Sequence, residues 1–416
     1  MSLSLVIPTR ERAEYLAPAI RSALRAADRA PCPVEVVISD NASGDATPEV
    51  IASFGDPRIV ALRSETRLSM RENFEFALSR SSGSHVVFIG DDDAVLPNGL
   101  RILAGLIAAH DPDIINWRIL NYLWPDPATG APGSLKARPH QLDGRLRTVD
   151  PTAVLDMFAR ATFRSYHQVG MIYNGCISRR LIDRAMAGSS GPYFRGSSPD
   201  VFTSLQALMV SNRPILRINL PITMGGASPK SNGAAGQKVA VVGSATTGTE
   251  FARFIAESAR DPYQCRLPAG CQSLQMVILD CLLAAAALHG VTLSLDRAAW
   301  QTRIEADVAR FSEPARSDCT AMAKAVFQMD LRLPVVLDPE VLTRTARPLA
   351  ADAPRVRHSA SKIVVSGGDV MADAEAAADF LDKWLNLARY RSLTPGFLQA
   401  AGQIARLHAS VRRFAR

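Results

Sequence analysis

Three consecutive carboxylates, Asp91, Asp92 and Asp93, follow directly on the apolar run VVFIG. Adjacent like charges repel unless something neutralises them. A Mg2+ or Mn2+ ion would do so, because both take oxygen ligands and commonly bridge substrate phosphates. Two readings stay open on these residues alone: a cation and phosphate site, or a solvated acidic turn. A fourth acid, Asp40, closes a second apolar run, VEVVISD. A fifth, Asp200, sits in FRGSSPDVF just before an apolar stretch. There a carboxylate suits the first turn of a helix, where the dipole favours it. Among the cations, Arg12 lies in the turn PTRER and Lys230 in SPKSNG. That loop reads either as a cover for a diphosphate, with Lys230 as a point charge, or as a linker. His167, in RSYHQVG, is a lone histidine with a substrate role or a structural one.

An apolar strand ending in Asp-Asp also suits a nucleotide hydrolase, which needs a GxxxxGK[ST] loop. The six lysines stand at 136, 230, 238, 324, 362 and 383, and none follows such a pattern. A GxGxxG turn after the first strand is absent as well. These acids must therefore be positioned by another device. The first 120 residues alternate between strand and helix signals. Strands are expected at Leu3–Ile7, Val34–Ser39, Arg58–Arg63, His85–Ile89 and Ile114–Leu120. Helices are expected between them, with Thr47 as N-cap before Pro48, a Ser69-x-x-Glu72 capping box and Pro97 opening a further helix. Pro18 should delay or kink the first helix. This rhythm predicts a mostly parallel sheet between helices, whose ligands bind at the carboxyl ends of the strands. Asp40 and Asp91–Asp93 fall at such ends.

Residues 121–150 are rich in Pro and Gly and read as an excursion. Residues 231–249 read as a flexible loop or linker, and 250–416 as mainly helical, with one strand at 361–366 and closing helices at 371–390 and 396–414. The 416-residue chain suggests two or three domains. The expected division is 1–230, the linker, and 250–416. The formal charge is +7, and the segment from Lys383 onward alone carries one Lys, six Arg and no acid. The rest sums to zero, which disfavours a nucleic-acid-binding body. Met276–Leu288, the longest apolar stretch, contains Asp280 and is too short to span a bilayer. The start MSLSLVIPT reads as a strand, not a signal peptide. Six scattered cysteines without a CxxC pair fit reduced thiols.

Four segments in order, SLVIPTRER, VEVVISDNASGD, RLSMRENFEFAL and GSHVVFIGDDDAVLPNG, resemble the nucleotide-binding half of a family 2 bacterial glycosyltransferase with the GT-A fold. The resemblance extends more loosely to about residue 235, through SSPDVF and GGASPKSNG, and does not cover 250–416. It implies that Pro8 and Thr9 contact the nucleotide. Asp40 would accept the uracil imide N–H, as a carboxylate can. Arg67 would contact base or phosphate, and Arg12 matches a frequent basic residue, a surface ion pair being the alternative there. Asp91 and Asp92 would hold the ribose hydroxyls and the divalent ion, with Asp93 as a further metal ligand. The commoner spelling has an acid at position 90, where this chain has Gly90. Asp200 would be the base, although Pro199 replaces the usual Glu; Asp156 and Asp183 are rivals.

The implied activity is metal-dependent, inverting transfer of a sugar from a UDP-sugar to a hydroxyl of a glycan or lipid-linked glycan, with Mn2+ or Mg2+. No QxxRW motif occurs, which points to single-sugar addition. A sugar-1-phosphate nucleotidyltransferase would need a GxGxR signature that PTRER lacks. A nucleotide-sugar-binding module without activity is the third reading. The expected location is cytoplasmic. Phe397, Ala401, Ile404, His408 and Val411 share a helical face beside Arg406, Arg412, Arg413 and Arg416. Such a helix suits peripheral contact with an anionic membrane, packing on the domain, or dimerisation.

Overall fold

Alternation along the strands divides the apolar residues of this chain between two cores. The computed structural model describes residues 1–137, 142, 144–166, 169, 172–231, 248–333, 355–359, 362–366 and 371–389. Its first half runs β1 (Leu3–Thr9), α1 (Ala13–Ala27), β2 (Val34–Asp40), α2 (Thr47–Ala52), β3 (Ile59–Arg63), α3 (Met70–Ser79), β4 (His85–Phe88), β5 (Ala94–Val95), α4 (Gly99–His110), β6 (Ile114–Trp117) and β7 (Leu120–Leu123). There follow β8 (Ser134–Ala137), β9 (Leu146–Val149), α5 (Pro151–Ala159), β10 (Gly175–Ser178), α6 (Arg179–Ala187), α7 (Pro199–Val210), β11 (Ile215–Ile218) and β12 (Thr223–Ala227). The chain continues with α8 (Gly248–Ala259), α9 (Leu274–Leu288), α10 (Arg297–Val308), α11 (Ala315–Phe327), β13 (Arg355–Ser359), β14 (Lys362–Ser366) and α12 (Ala374–Arg389).

The main sheet has the order β3-β2-β1-β4-β10-β6-β11-β9. Strands β3, β2, β1 and β4 are parallel, and β10 is antiparallel to both its neighbours. A second sheet has the order β13-β14-β8-β7-β12-β5. The expected α/β class therefore holds: a mostly parallel sheet between helices, with a helical C-terminal region. Val6 and Val37 face one core with α3, α5, α6, α7 and helices α9–α11. Leu5, Ile7, Val36 and Ile38 face the other, with α1, α4, the second sheet and α12.

Most expected elements form, and the departures have local causes. Pro8 lies inside β1. Thr9 O accepts from Asn41 N on the β2 side and Val6 O from Ile89 N on the β4 side. By alternation the missing N–H of Pro8 faces β4, whose pairing with β1 has already ended at Phe88. Helix α1 runs through Pro18 without interruption. Thr47 is not the cap of α2: Asp45 Oδ1 accepts from Thr47 N at 3.0 Å, so the acid two residues earlier closes that end. The Ser69–Glu72 capping box is complete. Pro97 stops short of its helix, which begins at Gly99. The strand expected over 114–120 divides into β6 and β7, which join different sheets. The excursion over 121–150 supplies β8 and β9.

Helix α7 is buried from Val201 to Leu208, because α9 packs across it from outside. The apolar run expected around Met276–Leu288 thus covers the helix that carries Asp200. Farther on, β14 pairs with β8, and α12 lies against α1. Arg21 and Arg25, one turn apart on α1, and Arg29 just beyond its end face Asp373, Glu375, Asp379 and Asp382. Strand β14 and helix α12 therefore pack into the N-terminal half. Of the loop or linker expected over 231–249, residues 232–247 lie outside the described residues, as do His167 and the helix expected over 396–414.

Leu381 is 1% exposed beneath this charged seam. Leu381→Ala should cost about 2–5 kcal/mol, as buried leucine truncations do. Arg25→Ala should cost under about 1 kcal/mol, since exposed ion pairs contribute little. Urea unfolding monitored by fluorescence checks the ordering of the two.

Candidate active site

The carboxyl ends of β1, β2 and β4 place Thr9, Asp40 and Asp91 side by side. Thr9 is in register with Asp40, and Asp40 with Arg63 on β3. The loop after β2 folds back on its own acid: Ser43 N donates to Asp40 Oδ1 at 3.0 Å. Arg63 forms an ion pair with Asp40 Oδ2. Asn41 is clamped to the start of α3, accepting from Leu68 N and donating to Leu68 O, both at 2.8 Å. Asp40 is buried, and each of its oxygens meets one of two partners, Ser43 or Arg63.

In the acidic turn, Thr9 Oγ1 donates to Asp91 Oδ2 at 2.8 Å. Arg12 Nη1 lies 3.3 Å from both Asp91 Oδ1 and Asp92 Oδ2. Burial weakens the Arg12 charge, yet Asp91 and Asp92 more than offset that and raise its pKa. Asp92 Oδ2 also accepts from Ser228 Oγ at 2.7 Å and Ser231 Oγ at 2.6 Å. Asp93 turns the other way: Oδ2 accepts from Gly90 N and Oδ1 from Gly226 N, each at 2.7 Å. Burial, with Asp92 second, pushes the Asp93 carboxyl up to about 7. Burial also pushes Asp91 up to about 6, against the pull of Arg12.

Gly226 makes this packing feasible. A Cβ there would fall 1.7 Å from the Asp92 carbonyl oxygen. Trp124 Nε1 donates to the same carbonyl at 2.8 Å. Strand β12 is thereby pressed against the turn, and the loop SPKSNG begins directly over it. Lys230 points away, to Glu14 Oε1 at 2.8 Å.

Arg67 is joined to Glu11, whose Oε1 also accepts from Gly44 N at 3.0 Å. Pro8 contributes backbone shape in β1 and no donor. Asp200 occupies the first turn of α7, partly buried, where burial pushes its carboxyl up to about 6 against hydrogen bonds from backbone N–H groups. Tyr173 lies on a short 3-10 turn (Ile172–Asn174) packed against α7, the helix of Asp200, and against β4 and β12, the strands that flank the acidic turn. Burial raises its phenol well above the ordinary value, with Asp200 and then Asp93, Asp92 and Asp91 adding to the effect. Tyr166 is pushed up to about 12 by burial and by Asp200. The rival acids sit apart: Asp156 pairs with Arg160 on an exposed helix face, and Asp183 is exposed.

Thus Thr9, Arg12, Asp40 and Asp91–Asp93 gather on one edge, and the turn that carries Tyr173 packs against both α7 and β4. Sequence reading missed Arg63, Glu11, Tyr173, Ser228 and Ser231. The signal for Arg63 exists only after the β2–β3 register is known. The two serines lay in plain view in SPKSNG, overshadowed by Lys230.

Among the described residues, no group of three His, Cys, Asp or Glu side chains converges to hold an ion by itself. A divalent ion completed by a substrate diphosphate needs only one or two carboxylates. Asp92 fits that lesser demand, because its four hydrogen bonds from the described residues all fall on Oδ2. Asp93 fits poorly, with both oxygens taken by the backbone. Among the described residues no helix is long and apolar enough to cross a membrane.

Residues 4–167 match the model of Glycosyl transferase family 2. Abequosyltransferase RfbV of Salmonella typhimurium is 34% identical over 107 residues, 25% of this chain and 32% of that protein. The match thus spans about a third of the length of that relative. Among solved structures, S. aureus TarS 1–349 in complex with UDP-GlcNAc aligns at 14% identity and a TM-score of 0.42, over 78% of this chain and 85% of that one. The mannosyltransferase PcManGT of Pyrobaculum calidifontis, in complex with GDP-Man and Mn2+, aligns at 16% identity and a TM-score of 0.37, over 77% and 84%.

Folded carboxyls raised above the ordinary value of about 4 hold protons that the unfolded chain has released. For Asp91, Asp93 and Asp200 this window lies between about pH 4 and about 7. Their contribution to stability must fall as pH rises through it. Depressed acids such as Asp56, at about 2, act in the opposite sense and below that window. Asp93→Asn should lower stability at every pH, because an amide N–H2 then meets a backbone N–H. It should also flatten the decline between pH 4 and 7, as read by urea midpoints across that range.

Proposed function

We propose, from the membership of residues 4–167 in glycosyl transferase family 2, that this chain is an inverting, metal-dependent glycosyltransferase. It would move one sugar from a UDP-sugar to a hydroxyl of a glycan or glycoconjugate. The observation that carries the reading is the gathering of Thr9, Arg12, Asp40, Asp91 and Asp92 at one sheet edge. Asp40 suits a pyrimidine imide N–H, Thr9 and Asp91 suit hydroxyls, and Arg12 suits a phosphate. Arg67 would reach the base or a phosphate after leaving Glu11. A bound Mn2+ or Mg2+, held by Asp92, would offset charge on the diphosphate.

The chain's own groups supply the proton transfer. Asp200, ionised, takes the proton of the acceptor hydroxyl as the acceptor oxygen bonds to the anomeric carbon. The bond from that carbon to the phosphate oxygen breaks, and the nucleoside diphosphate leaves with the electron pair. Attack opposite the leaving group inverts the anomeric centre. Burial serves this base by raising its proton affinity toward the working range, as general bases require. Asp93 has a structural part, pinning β12 to the turn.

A donor screen tests the reading: UDP-, GDP- and dTDP-sugars with Mn2+, following released nucleotide. Hydrolysis of a UDP-sugar supports it. Release of pyrophosphate from UTP and a sugar 1-phosphate would support the nucleotidyltransferase instead, and binding without turnover a module without activity. Asp200→Asn should reduce transfer by about 10²–10⁴-fold with little change in UDP affinity. In the wild type, kcat/KM should rise with pH through an acid limb near 6, where Asp200 ionises. A pH profile lacking this limb would place the base elsewhere.

A further inference from the structure

Among the described residues, Asp92 is held by one oxygen only. Oδ2 collects Arg12 Nη1 and Ser228 N at 3.3 Å, Ser228 Oγ at 2.7 Å and Ser231 Oγ at 2.6 Å. The two serines also brace each other: Ser228 N donates to Ser231 Oγ at 3.0 Å, and Ser231 N to Ser228 O at 3.0 Å. Oδ1 lies beside Gly90. A Cβ at position 90 would come within 3.1 Å of Asp92 Oδ1 and 3.2 Å of Asp93 Oδ2. The glycine that breaks the commoner acidic spelling therefore leaves space next to the oxygen without a hydrogen bond.

Building on the metal-dependent reading above, we infer that Ser228 and Ser231 are positioning residues that lock Asp92 through Oδ2 so that Oδ1, left clear by Gly90, is the ion's protein ligand. The physical ground is that outer partners fix a ligand's orientation and tune its affinity. A carboxylate with one oxygen saturated cannot rotate without losing several hydrogen bonds together. The lock comes from β12 and the start of its loop, so the distant strand, and not the acidic turn alone, sets the ligand's aim. Arg12 contributes charge to the same oxygen and keeps the paired carboxylates of Asp91 and Asp92 tolerable in the absence of an ion.

The test is a Mn2+ titration of the full chain by electron paramagnetic resonance, with and without UDP, beside calorimetry of UDP alone. Asp92→Asn, Ser228→Ala/Ser231→Ala, Ser231→Thr and Gly90→Ala are compared with wild type. Asp92→Asn should lose Mn2+ binding with UDP. The double serine variant and Gly90→Ala should each weaken it by about 10–100-fold. Ser231→Thr, which keeps the hydroxyl, should bind close to wild type, and metal-free UDP affinity should hold in the serine and glycine variants. If the serine and glycine variants bind Mn2+ with UDP like wild type while Asp92→Asn does not, the positioning inference falls and the metal reading stands. If Asp92→Asn also binds like wild type, the metal reading falls and takes the inference with it. A matching loss of metal-free UDP affinity in the double variant and in Gly90→Ala would show a merely structural role and overturn the inference.

Discussion

Everything around this site answers one electrostatic demand: three adjacent carboxylates are buried at the end of β4. Unpaired charges there would be expelled or protonated. Each aspartate meets a different remedy. Asp91 takes Thr9 and Arg12, Asp92 takes Arg12 and two serines, and Asp93 takes two backbone N–H groups. Those remedies come from β1, the first turn, β12 and its loop. Arranging them requires β12 to lie against the turn, which only glycine at 226 allows. The second sheet is thereby tied to the first through the charges of the site.

The same demand explains the C-terminal region. Asp200 gains its raised proton affinity from burial, and burial of α7 depends on α9 lying across it. Farther up, Asp261 accepts from Ser69 Oγ at 2.7 Å and pairs with Arg71, which anchors the segment after α8 to the start of α3. Tyr263 stands between the guanidinium groups of Arg71 and Arg195, with ring-to-cation distances of 5.3 and 5.4 Å. Helix α8 itself reaches the first turn through Glu257 and Arg10. The helical addition is thus a supporting wall for α7 and for the first turn alike.

The sheet, its order of elements and the acids at its edge were legible because they rest on periodicity and on strand ends. Asp40 and Asp91 could be placed at carboxyl ends from the apolar runs before them. What sequence could not give was partnership across the fold. Asp93 looked the equal of Asp92, and only the approach of Gly226 separates a tethered acid from one with a clear oxygen. Arg63 and Tyr173 act through register and packing, to which spacing is blind. The Thr47 cap failed because Asp45, two residues earlier, is the better acceptor. Residues 355–389 read as part of a distal helical region, yet complementary charge along α1 and α12 draws α12 back to the N-terminal half.

The central claim is that Asp92, alone of the three aspartates, faces a metal–diphosphate while Asp40 meets the base. An anomalous-difference map from crystals grown with UDP and Mn2+ tests it most directly. The account predicts a single peak about 2.1 Å from Asp92 Oδ1, a typical distance for a small divalent ion and oxygen. It also predicts uracil at Asp40 and Asp93 still bonded to Gly90 N and Gly226 N. A peak shared by Asp91 and Asp93, or uracil bound away from Asp40, would contradict it.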